Sequence, residues 1–289
     1  VTGDTFAAVM NQGISAEGLA AADAYLISSG KFSGYTADGL AAMRPAVWQS
    51  WGADNGKVLP GVKAEGIFAS GTGTKADPFV VETEAQLRAF AASTIGDDAT
   101  DYAGQYVALD ADITLNGAWT PIHYFAGSFD GRGHTVSGVR IGTERAPLEQ
   151  ASVGFFDVLA NGASLANLHL TDVAVYGKLT GDWDRPFVGG LVGGSLGMGK
   201  NARIDHCSVS GGIVSAEGKQ WAYGGGLTAS LYLDAYLTNC WTDVTVQVKS
   251  ANGLCSAGGL AATNSNGSMI ANCAALGDVT AISGYTTSS

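Results

Sequence analysis

The chain has 289 residues with 42 glycines, a charged fraction of only 14% and an apolar fraction of 46%. Glycine without a three-residue period, beside that much apolar material, excludes collagen and wholesale disorder and leaves room for a sizeable core. A net charge of −11, with no basic run longer than two residues, argues against nucleic acid as a partner, and no apolar stretch is long enough to span a bilayer.

Residues 1–66 are rich in Ala and Leu and contain two copies of one helix-like pattern, Ser15-Ala16-Glu17-Gly18-Leu19-Ala20-Ala21 and Thr36-Ala37-Asp38-Gly39-Leu40-Ala41-Ala42. Ser15 and Thr36 suit N-caps, and Glu17 and Asp38 complement the positive end of a helix dipole. Gly30 and the Gly52–Gly56 region stop the two helices, and Pro45 distorts the second. The expectation is a short N-terminal α-helical cap over the open end of whatever follows, burying Leu19, Leu40 and Trp48. A further helix is expected after Thr83, where Gln86 three residues later completes a capping box ahead of Leu87-Arg88-Ala89-Phe90-Ala91.

Residues 67–289 carry a repeat. Cys207, Cys240 and Cys273 recur every 33 residues, each after a similar step: Ile204-Asp205-His206, Leu237-Thr238-Asn239 and Ile270-Ala271-Asn272. Ahead of each lies a glycine-rich strand, Gly189-Gly190-Leu191-Val192-Gly193, Gly225-Gly226-Leu227-Thr228-Ala229 and Gly258-Gly259-Leu260-Ala261-Ala262. An older copy runs from Val153-Gly154-Phe155-Phe156 to Leu165-Ala166-Asn167-Leu168, with Leu168 in the cysteine position. A period of this length, made of short β-rich runs without helical periodicity, predicts units stacked strand on strand. The fold class expected is mainly β: a parallel β-helix, a solenoid, with right-handed coiling the expectation though the sequence does not fix the hand. Equivalent residues then stand about 4.8 Å apart. The cysteines become an inward ladder of free thiols, and Asn167, His206, Asn239 and Asn272 a polar ladder at a corner of the coil.

Gly190-Leu191-Val192-Gly193 resembles the GLUG repeat of bacterial surface proteins, although the two later copies depart from its final Gly. Upstream, Gly71-Thr72-Gly73-Thr74, Asp77-Pro78-Phe79, Asp112-Ile113, Trp119, Pro121-Ile122 and Phe129-Asp130-Gly131 resemble the segment that precedes such repeats. The resemblance implies an adhesin-like surface or secreted protein. It is also found as a non-catalytic region of large immunoglobulin A-cleaving surface peptidases, and it implies no reaction.

Catalytic devices are scarce. The sequence has no His-Glu-x-x-His, no Gly-x-Ser-x-Gly and no phosphate loop, and its four histidines are scattered singly. His134, beside a glycine turn, reads as structural. No cysteine pair has zinc spacing, and Asp97, Asp98 and Asp101 read as a solvated acidic loop rather than a calcium site, though the sequence does not decide between them. No metal or cofactor is expected. The candidate ligand site is Asp182, Trp183, Asp184, Trp221 and Tyr223. Both tryptophans precede Gly-Gly-Leu strands of neighbouring units, so their loops emerge on one edge, where two indoles flanking a groove with carboxylates alongside suit a sugar ring; the plainer reading is that the indoles cover exposed apolar surface where the loops fold back.

The reading is a non-enzymatic, monomeric module, secreted or anchored at the cell surface through regions outside this stretch, binding a host or bacterial surface glycan or protein. The alternatives are a carbohydrate-active lyase or hydrolase, for which Asp182 and Asp184 form the one carboxylate pair beside aromatics, and an accessory region of a larger surface peptidase.

Overall fold

The computed structural model describes residues 67–97, 99–194 and 200–284. By contact the chain divides into Val1–Gly66 and Ile67–Ser289. The two helices expected near Ser15 and Thr36, and the burial expected of Leu19, Leu40 and Trp48, lie outside the described residues.

Ile67–Gly284 is mainly β, with every inter-strand ladder parallel. A seven-stranded sheet takes its strands in chain order: Phe79–Val81, Tyr106–Leu109, Ser128–Asp130, Ser164–Ala166, Arg203–Asp205, Tyr236–Thr238 and Met269–Ala271. A second sheet interleaves with it and includes three long neighbours, His169–Leu179, Ser208–Gly218 and Trp241–Ser250. A third stacks Ser152–Val153, Phe187–Gly189, Trp221–Gly225 and Leu254–Gly258. Thr228–Leu231 pairs with Ala261–Asn264, and single bridges continue that line back through Val192 and Phe156 to Ile122. The three passes between Ser164 and Gly258 each give one strand to each of these three sheets, and neighbours within a sheet are successive passes.

Alternation decides which side faces in. Along Trp241–Ser250, Thr242, Val244, Val246, Val248 and Ser250 are buried, while Trp241, Asp243, Thr245 and Lys249 are exposed. The register places Val175 beside Val214 and Val214 beside Val246, so small β-branched side chains stack on their own kind through the core. The ladder slips between Ser210 and Ile213, where Gly212 adopts φ +149°. A Cβ there would lie 1.9 Å from the Val173 carbonyl oxygen, so the bulge requires glycine.

The corner between the first and second sheets has a single geometry. Asn167, His206, Asn239 and Asn272 all have φ between 49° and 54°, the left-handed region that Asn tolerates better than most side chains. Their side chains also bond along the stack: Asn272 Nδ2 donates to Asn239 Oδ1 at 2.6 Å, and Asn239 Nδ2 to Asp205 Oδ1 at 2.8 Å. The next residue in each pass turns inward. Leu168, Cys207 and Cys240 are buried and Cys273 is half-buried. All four cysteines are free thiols, and Cys255 stands in the third sheet beside Ala222.

At the opposite end from the cysteines, the helix α1 (Glu84–Ala92) has both bonds of the capping box between Thr83 and Gln86. It buries Leu87, Phe90 and Ala91, and Phe90 packs on Tyr102, Phe125 and Phe129 with ring centroids 4.9 to 6.0 Å apart. The helix covers an aromatic cluster that lies beside the buried aliphatic pairs Val81–Leu109 and Ile113–Val136 of the first passes.

Candidate functional site

The third sheet carries the site. In Trp221–Gly225 the alternation buries Ala222 and Gly224 and turns Trp221 and Tyr223 outward. Tyr223 is in register with Phe187, and the two rings stack with centroids 4.7 Å apart and planes within 6°. Two residues earlier in each pass, Arg185 meets Trp221 and lays its guanidinium 4.9 Å over the indole. Leu254, in register with Trp221 on the other side, is 71% exposed.

Trp183 reaches this edge through a turn. Asp184 Oδ2 accepts the Gly181 N–H at 2.8 Å, and the Asp184 N–H donates back to the Gly181 carbonyl at 3.2 Å. That closed turn holds Trp183 at its tip, 80% exposed, with its ring 5.8 Å from Trp221 and inclined by 28°. The structure therefore brings all five expected residues onto one edge, but the indoles stack on each other instead of flanking a groove. The result is an apolar platform of Trp183, Trp221 and Leu254, with Arg185 and the Phe187–Tyr223 pair beside it.

Neither carboxylate is free in the platform. Asp182 is ion-paired with Lys219, and Asp184 is engaged by its own turn. Lys219 and Leu254 were not singled out from sequence. Leu254 could have been, since it stands one 33-residue interval after Trp221.

The other polar candidates have local duties. His134 Nδ1 bonds Asp112 Oδ1 at 3.2 Å; the Thr135 N–H, and then His134, hold the Asp112 carboxyl below the usual carboxylate range. Asp101 accepts the Ala103 N–H at 2.9 Å, and Asp98 lies outside the described residues. Among the described residues no cluster of three His, Cys, Asp or Glu side chains is placed to hold a metal ion. No helix among them is long and apolar enough to cross a membrane.

No family model matches the chain, so the likeness to GLUG repeats rests on the motif residues themselves. Halomucin of Haloquadratum walsbyi is 32% identical over 218 residues, which cover 72% of this chain and 2% of that protein. A “Putative Gly-rich membrane protein” of Evansella cellulosilytica is 28% identical over 152 residues, 48% of this chain and 16% of the relative. The chain thus spans a small part of the curated relatives it matches. Among solved structures, a “putative immunoglobulin A1 protease” from Bacteroides ovatus aligns at 17% identity with a TM-score of 0.40, covering 76% of this chain and 82% of that one.

Proposed function

We propose that the chain is a non-enzymatic, extracellular surface module: a parallel β-helix, its sheets the faces of one coil, that displays loops for binding a surface glycan. Chain-order strands and parallel ladders support the solenoid reading. Likeness to part of Halomucin and to part of a protein named as a membrane protein supports a place at the cell surface.

The observation that carries the binding role is Trp183, whose indole is 80% exposed yet held by a closed turn and by the stack on Trp221. A fixed aromatic face in water loses little entropy when the C–H face of a sugar packs on it. Arg185 and Lys219 at the rim offer donors to ring hydroxyls. The hydrolase alternative needs an available carboxylate pair, and here Asp182 is ion-paired while Asp184 closes a turn. That disposition supports a binding role over a catalytic one.

The test is a glycan array with the parent, Trp183→Ala and Trp221→Ala, after showing equal melting temperatures. Stacking on an aromatic is worth roughly 1 to 3 kcal/mol, so each variant should bind about 5- to 150-fold more weakly. Undiminished glycan binding by both variants would remove the platform from the function. Polymer cleavage lost on Asp182→Asn would favour an enzyme instead.

A further inference from the structure

A groove of about 500 Å³ opens beside the C-terminal turn of α1, away from the tryptophan platform in sequence and lined by none of its residues. Its wall is built on paired chain: Ile122 bridges Phe156 and Phe125 bridges Leu159, both in parallel. Between these bridges His123 and Tyr124 stand opposite Asp157.

Asp157 is buried, 6% exposed, and its two oxygens have separate duties. Oδ1 accepts the N–H of Tyr124 at 3.0 Å and that of Val158, while Oδ2 is bonded to His123 Nδ1. The His123 backbone is pinned as well, its N–H donating to Thr94 Oγ1 at 2.8 Å. An ionised carboxylate only accepts, so His123 Nδ1 donates to Asp157 and Nε2 is the ring nitrogen left for a ligand. The imidazole is 56% exposed. Beside it Tyr124 holds φ +42°, a conformation a bulky side chain rarely adopts, and its ring is half exposed with its centroid 6.5 Å from the imidazole. A buried carboxylate therefore holds His123 and the strained Tyr124, both of which line the groove.

Beside the imidazole the lining offers the Asp101 carboxylate, the Gln150 amide and the hydroxyls of Thr100 and Thr120, with no Lys or Arg among the residues that form it. Such a site suits a ligand that donates several hydrogens, carries no negative charge and presents a flat C–H face. We propose that this groove is a saccharide subsite for an uncharged sugar ring, in which His123 Nε2 accepts a ligand hydroxyl hydrogen and Tyr124 supplies the stacking face. It stands independently of the tryptophan platform, since no residue is shared.

Asp157→Asn gives a sharp test. The amide oxygen replaces Oδ1 and keeps both backbone bonds, but its NH₂ faces His123 Nδ1 and donates to it. That moves the ring hydrogen to Nε2 and turns the acceptor into a donor. The parent, Asp157→Asn, His123→Ala and Tyr124→Ala are titrated with methyl glucoside, methyl galactoside, glucuronate and butylamine, following imidazole and tyrosine NMR signals. A neutral glycoside should shift the His123 and Tyr124 signals of the parent, glucuronate should not, and each variant should bind roughly tenfold more weakly or worse. The proposal is overturned if no neutral glycoside shifts those signals, if glucuronate or butylamine binds as well as the glycosides, or if His123→Ala binds like the parent. His123→Ala takes the partner from buried Asp157 Oδ2, so its melting temperature is compared first, and Tyr124→Ala, which keeps the backbone bond to Asp157, decides the matter where the other two variants do not fold.

Discussion

Cys207 and Cys240, in successive passes of the chain, are joined by a hydrogen bond in which the Cys207 backbone N–H donates to Cys240 Sγ at 3.3 Å. Cys240 repeats the bond to Cys273 Sγ at 3.4 Å. The sulfurs thus satisfy backbone donors at the inner side of the corner. Hydrogen bonding with Cys207, added to burial, pushes the Cys240 thiol well above its ordinary range. Cys240→Val removes that acceptor from a buried N–H and should lower stability by about 1 to 3 kcal/mol in chemical denaturation. In the native protein, alkylating reagents should label half-buried Cys255 and Cys273 before buried Cys207 and Cys240, as mass spectrometry of timed samples would show.

Gly212→Ala tests the bulge in the second sheet. The added methyl meets the Val173 carbonyl at 1.9 Å on a backbone with φ +149°, so the strand must shift. A loss of at least roughly 1 to 3 kcal/mol is expected. An unchanged denaturation midpoint would mean that the register slip does not depend on glycine.

Asp205 makes the corner sensitive to acid. Burial works against its ionisation, but hydrogen bonds from Thr238, His206 and Asn239 outweigh that and hold its carboxyl below the usual range. A carboxyl that is more acidic when folded contributes stability above its unfolded pKa and loses it as pH falls through the folded one. Melting temperature should therefore fall across the acid range, and Asp205→Asn should fall less steeply there while being less stable near neutrality. Parallel melting curves for the two proteins over that range would refute the assignment.

The capping box offers a separate handle on the aromatic end. Thr83→Ala removes the side-chain acceptor for the Gln86 N–H and should cost about 1 kcal/mol. Gln86→Ala removes the acceptor that serves both the Glu82 and Thr83 N–H groups. It should cost at least as much, measured by the same denaturation.

The parts legible in the sequence are those in which one residue type repeats at a fixed step. The 33-residue cysteine interval located the inward position of three passes, and Thr83 with Gln86 located α1. The polar corner was legible as a ladder, but its left-handed backbone was not, because His206 shares φ with its asparagine neighbours without sharing their chemistry. For the platform, the repeat spacing placed Trp183 and Trp221 on one edge but with a groove between them. The turn closed by Asp184, which decides between a groove and a stack, depends on side-chain geometry that spacing does not carry. His123 and Asp157 are far apart in the chain and match no motif. The one available signal was a charged residue, Asp157, following Phe155-Phe156 where the next copy has Gly193 after Leu191-Val192.

The loop that holds Trp183 lengthens its pass without disturbing the ladders. Leu165, Ile204 and Leu237 are in register, as are Phe187, Tyr223 and Ser256. Yet the stretch from Leu165 to Phe187 is three residues longer than its two counterparts. The extra length is absorbed outside the hydrogen-bonded strands, so the scaffold neither counts nor constrains what lies between them. Loop display and mechanical support are thereby assigned to different residues, and the first can be rewritten by insertion or deletion while the second stays as it is.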